Sequence, residues 1–188
     1  METPVTIDEQ RCLLHWARQA VVNAAAGRDA PEIPAAELTA GLLRPHAAFV
    51  TLTKDGELRG CIGRLDYARP LWQNLLAAAA AAALEDPRFP AVQPAEVPGL
   101  RLEISVLGAP REIPDATQFD PQRHGIIVEK GWHNALLLPQ VARHHGWDAA
   151  QTLATVCGKA GLAPTAWQEP GIRLQVFEAQ VFGEPGSE

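Results

Sequence analysis

The sequence predicts an α+β protein, mainly an antiparallel sheet packed with helices, with a larger part and a smaller subdomain. Three observations carry this. Apolar residues recur at helical spacing in some segments, with Leu13, Leu14, Ala17, Ala20, Val21 and Ala24 as the first run. They alternate with polar residues in others, as in Leu102, Ile104 and Val106 set against Arg101, Glu103 and Ser105. The helical segments are interspersed with hairpin signals rather than alternating singly with strands, which favours α+β over a doubly wound parallel sheet.

Each element has a local cause. Thr6 with Glu9 three residues on forms a capping box, so a helix is expected from about Ile7 to about Ala26, stopped at Gly27. Three prolines between Arg28 and Pro45 leave room for only a short helix around Ala35 to Leu42. Ala47 to Gly63 alternates around a Lys54-Asp55-Gly56 turn and predicts a hairpin. Pro70 suits a helix first turn, and Leu71 to Leu84, with seven consecutive alanines, predicts a helix that Asp86-Pro87 ends. A strand is expected over Leu100 to Leu107. A second hairpin is expected from Ile126 to Lys130 and Asn134 to Leu138, closed by Pro139. Asp148 with Gln151 caps a helix that ends near Gly161, and Ile172 to Phe182 reads as one long closing strand.

Composition bounds the function. The chain has 188 residues, 47% of them hydrophobic, and a formal net charge of -6. That is enough apolar material for a core and the length of a single domain, 1–188, with a possible smaller subdomain at about 111–148. The acidic total lacks the footprint that releases counterions from nucleic acid, so nucleic acid is disfavoured as a partner. Cys12, Cys61 and Cys157 are odd in number and widely spaced, so no disulfide framework is expected. The first ten residues hold Glu2, Asp8 and Glu9 and no export segment, and the alanine-rich run is too short to span hydrocarbon. A cytoplasmic protein without a membrane partner is expected.

Candidate chemistry centres on Leu58-Arg59-Gly60-Cys61-Ile62-Gly63. Period-two geometry places Arg59 and Cys61 on one face, and two glycines keep the backbone accessible. A guanidinium beside a thiol favours the thiolate, the form needed in a nucleophile. The same residues also read as a small buried cysteine with glycines serving close packing or a bulge. His124, before Gly125 at a strand entrance, is the histidine best placed to move protons, with a solvent-facing turn residue as the alternative. His133, His144 and His145 lack the spacing of a metal site. Asp86-Pro87-Arg88-Phe89-Pro90 reads as a structural exit, with Phe89 in the core and an ion pair pinning the turn. There is no G-x-G-x-x-G, Walker loop or G-x-S-x-G, and no cofactor or metal is expected.

These segments, with Phe49-Val50-Thr51-Leu52, Glu103-Ile104-Ser105-Val106-Leu107, His124-Gly125-Ile126, Leu137-Leu138-Pro139-Gln140-Val141, Gly146-Trp147-Asp148 and Cys157-Gly158-Lys159-Ala160-Gly161-Leu162, resemble the AMMECR domain family from about Leu13 to Phe182. Trp132-His133 and the richness of the alanine run depart from the usual pattern. The resemblance implies a compact α+β fold whose inter-subdomain groove is lined by Arg59, Gly60, Cys61, Ile62 and Gly63. It implies no settled activity. Similar prokaryotic proteins are known as protein A of the AmmeMemoRadiSam system, which implies a Memo-like dioxygenase and a radical SAM protein as partners. Two functions follow as expectations: a module binding a small molecule or one of those proteins, or a cysteine-dependent enzyme in which Cys61 attacks, Arg59 stabilises negative charge and His124 transfers protons.

Overall fold

The structure, a computed structural model, describes residues 5–185. The chain divides into two compact units. One ends at Leu107 and takes the chain up again at Gln180; the other is Gly108–Ala179.

The first unit is a four-stranded sheet with helices on one face. Helix α1 (Ile7–Ala25) starts at the expected capping box, where the Thr6 hydroxyl accepts from the Glu9 N–H and the Glu9 carboxylate accepts from the Thr6 N–H. The connector holds a 3-10 turn at Ala35–Glu37 and one short helix, α2 (Ala40–Leu43), capped by Thr39. Strands β1 (Ala47–Lys54) and β2 (Glu57–Arg64) form the expected hairpin. Asp55 and Gly56 turn it with φ of 53° and 83°, left-handed at both central positions, as a turn matching the strand twist requires. Helix α3 (Leu71–Leu84) follows Pro70, and β3 (Leu100–Leu107) pairs antiparallel with β1.

Val50 and Leu52 of β1 and Leu102 and Ile104 of β3 lie on one sheet face. They are fully buried there in one cluster with Leu13, Ala17 and Val21 of α1 and Leu75, Ala78 and Ala79 of α3. The alanine run is therefore a close-packing surface, as small side chains allow.

The second unit has its own core and sheet. Its strands are β4 (Arg111–Ile113), β5 (Gly125–Lys130) and β6 (His133–Leu137), followed by helices α4 (Pro139–His145) and α5 (Ala149–Lys159) and strand β7 (Arg173–Phe177), in sheet order β4-β7-β5-β6. Ile126, Val128, Leu153, Val156, Cys157, Leu174 and Val176 form its centre. The Asp148–Gln151 capping box opens α5 as expected.

Two features go beyond the expectations. The second hairpin ends at Leu137 ahead of Pro139, but Pro139 also opens an unexpected helix, α4, at a position where its missing N–H costs nothing, and His144 and His145 lie in that helix's last turn before the left-handed Gly146. The closing segment is not one strand. It breaks at Glu178 into β7 and β8 (Ala179–Gly183), which belong to different sheets, the first having order β2-β1-β3-β8. The alternation changes phase just before the break, where the consecutive Val176 and Phe177 are both buried, a shift that a bulge within one strand would also give.

Candidate functional site

The β1–β2 hairpin holds the candidate thiol, and its register decides which side chains share a face. Val50 pairs with Ile62 and Leu52 with Gly60, all on the helix-covered face, whereas Thr51 pairs with Cys61 and Phe49 with Gly63 on the opposite face. Cys61, Thr51 and Glu103 thus form one row across β2, β1 and β3. The cysteine is half-buried rather than sealed in the core, and its sulfur accepts a hydrogen bond from the Thr51 hydroxyl at 3.3 Å.

Arg59 does not share that environment, contrary to the period-two expectation. The register shifts between Leu52 and Thr53, which pair with Gly60 and Leu58, so Arg59 is the extra residue of a β-bulge. Its guanidinium donates to both oxygens of Glu96, from Nε at 3.2 Å and Nη2 at 3.1 Å, and Lys54 joins the same carboxylate at 3.4 Å. The Arg59 hydrogen bonds hold Glu96 down at a pKa of about 2. Arg59 is consumed in bracing the end of the hairpin.

Of the two readings of the glycines, the structure shows close packing: they admit neighbours rather than leaving the backbone open. A Cβ at Gly60 would lie 2.2 Å from the carbonyl oxygen of Ala82 in α3. One at Gly63 would lie 2.3 Å from the ring of Phe49. Close packing and a bulge are therefore both present, around a cysteine that is not buried.

The cation near Cys61 is Arg88. Asp86, 5% exposed, accepts the Cys61 backbone N–H at 2.9 Å on Oδ2, and the same oxygen accepts Arg88 Nη2 at 2.7 Å. Arg88 Nε and backbone N–H reach Oδ1 at 2.9 and 3.1 Å. The Cys61 N–H points off the outer edge of β2, so Asp86 closes an otherwise unpaired edge position. Hydrogen bonds from the Arg88 side chain hold the Asp86 carboxyl far below the usual carboxylate range, against the opposing effect of burial. Arg88 is raised in turn, by its hydrogen bonds to Asp86 first, with negative charge at Cys61 acting in the same direction. Phe89 is half-buried rather than a core anchor, and its ring lies 5.4 Å under the Arg88 guanidinium.

His124 belongs to the second unit, just before β5. Its Nδ1 accepts the Asp120 N–H at 3.2 Å, and burial, then the nearby Arg123 charge, pushes its pKa down. The ring is held as a neutral acceptor in its own loop. The other two thiols differ from Cys61. Cys157 lies in the core of the second unit, and burial pushes it up. Cys12 is raised by burial and by Glu37, whose carboxylate lies 3.8 Å from its sulfur. Among the described residues no three or more His, Cys, Asp or Glu side chains gather as a metal site, and no helix is long and apolar enough to cross a membrane.

Sequence reasoning did not assign Thr51 or Arg88 to the thiol. Counting out from the Asp55-Gly56 turn would pair Thr51 with Gly60, and only the bulge at Arg59 brings Thr51 opposite Cys61. Arg88 became a neighbour of Cys61 only through the path of the chain after α3.

Comparison with known proteins agrees with this architecture. The AMMECR1 family model matches residues 14–182. A protein of Methanothermobacter thermautotrophicus is 40% identical over 97% of this chain and 98% of its own length. Protein MK0488 of Methanopyrus kandleri is 40% identical over 98% of this chain and 92% of its own. The crystal structure of uncharacterized protein PH0010 from Pyrococcus horikoshii superposes with a TM-score of 0.88 at 35% identity, covering 93% of this chain and 90% of that one.

Proposed function

The chain belongs to the AMMECR1 family, and from that membership we infer that it is a binding module whose recognition surface is the Cys61 face of the β1–β2 hairpin. Its occupant is a small molecule or one of two partner proteins, a Memo-like dioxygenase and a radical SAM protein. The observation that carries this reading is the bracing of β2. Asp86 holds its edge at the Cys61 N–H, Glu96 holds its bulge at Arg59, and the bare Gly60 seats it against α3. A strand held at three points presents Cys61, paired with Thr51 of β1, in a fixed arrangement, which reduces the ordering cost of binding.

A calorimetric titration of the protein with each of the two partners tests the reading. Binding to at least one is expected, weakened about tenfold or more by Thr51→Arg, which places a long charged side chain in the middle of the face. No binding to either, or binding indifferent to that substitution, would overturn the assignment.

A cysteine-dependent reaction is the second reading, favoured by the Thr51 hydroxyl on the Cys61 sulfur and by Arg88 nearby. In it Arg88 replaces Arg59 as the source of positive charge, because Arg59 is occupied by Glu96.

A further inference from the structure

Arg88 has capacity that its ion pair does not use. Its Nε and Nη2 are committed to Asp86, while its side chain is 54% exposed. A guanidinium carries five N–H donors in a rigid fork, so the Nη1 edge is not engaged by Asp86. The fork cannot swing freely, because the buried Asp86 carboxylate grips it on two oxygens and the Phe89 ring lies beneath it. The same Asp86 Oδ2 that accepts Arg88 also accepts the Cys61 N–H, so one oxygen atom separates the guanidinium from the cysteine backbone. A fixed cation with donors to spare therefore sits one shared oxygen away from the Cys61 backbone N–H, next to a residue whose thiol a neighbouring hydroxyl contacts.

We propose that Arg88, held in place by Asp86, is an anion-binding residue of the Cys61 face, and that the small molecule or peptide group received there carries a carboxylate or a phosphate. The proposal rests on that face being the recognition surface and adds the chemistry of what it recognises. Asp86 is the positioning residue. Its carboxylate neutralises much of the guanidinium charge at long range but leaves the directional donors, so selection at this point is by hydrogen-bond geometry as much as by charge.

The test compares two alkylating probes of nearly equal size, iodoacetate and iodoacetamide, on the folded full-length protein, with modification of Cys61 followed by peptide mass mapping. Both form an S–C bond with the thiolate and expel iodide, so thiol activation affects them alike and their rate ratio isolates the anion's contribution. The iodoacetate-to-iodoacetamide ratio at Cys61 is expected to exceed that of the urea-unfolded protein by roughly five- to tenfold. It is expected to fall to the unfolded value in Arg88→Gln and to an intermediate one in Arg88→Lys. In the wild-type protein, inorganic phosphate or acetate should slow iodoacetate and not iodoacetamide, and the stronger protector identifies the class of anion.

Reaction with both probes at the unfolded ratio, without protection by either anion, would overturn the anion proposal and leave the recognition face standing. Failure of Cys61 to react with either probe in the folded protein would overturn both. The protection arm uses the wild-type chain, so it decides the matter even if an Arg88 variant does not fold.

Discussion

Two carboxylates, Asp86 and Glu96, organise the residues around Cys61, and each works by satisfying an arginine. Glu96 ties Arg59 and Lys54 together across the bulge, and its folded pKa of about 2 lies below the ordinary value of 4.5. A depressed carboxylate contributes stability that is complete above its unfolded pKa and disappears as pH falls through the folded one. Glu96→Gln is accordingly expected to lower unfolding free energy by about 1–2 kcal/mol at pH 7. The gap to wild type should shrink below pH of about 4.5 and close near pH 2, as urea unfolding across that range would register. A gap of constant size at every pH would mean that Glu96 stabilises by packing alone. At this scale the residue types at the candidate site were legible in the sequence, and their partners were not. Arg59 and Cys61 stand two positions apart, which an unbroken strand would place on one face; the bulge that separates them leaves no mark in the pattern of apolar residues.

The hairpin and α3 act as one element because Gly60 allows it. With Ala82 O only 2.2 Å from where a Cβ would sit, Gly60→Ala must displace backbone of a buried helix. At Gly63 the obstacle is the half-buried ring of Phe49, a side chain that can rotate. Gly60→Ala is expected to cost at least about 2 kcal/mol and Gly63→Ala measurably less, as denaturant midpoints would report. Equal costs would mean that α3 yields as easily as a phenyl ring. Elements with strong local signals were readable in advance: the capping boxes at Thr6 and Asp148, the Asp55-Gly56 turn, and the helix after Pro70. Helix α4 was missed because Pro139 after an apolar strand reads equally as a stop or as a first helical residue. The change of sheet at Glu178 is marked in the sequence only by a shift of phase, from Ile172, Leu174 and Val176 to Phe177, Ala179 and Val181, which a bulge in one continuous strand would produce as well.

Across the whole molecule the chain builds two cores, one around α1, α3 and the β2-β1-β3-β8 sheet and one around α5 and the β4-β7-β5-β6 sheet. The ends of the second unit meet where the Gly108 N–H donates to the Glu178 carbonyl at 3.0 Å, so that unit is inserted between β3 and β8 of the first. Cys157 and Cys61, one in each unit, have opposite surroundings. Cys157 is fully buried among Leu153, Val156 and their neighbours, whereas Cys61 stands on the sheet face opposite the helices, with Thr51 at its sulfur. The binding assignment depends on that contrast. Its most direct check is the rate at which iodoacetamide modifies each cysteine of the folded protein under native conditions. Cys61 is predicted to react with the fold intact and well before Cys157, which should be modified only as its unit opens. Equal protection of the two would contradict the account.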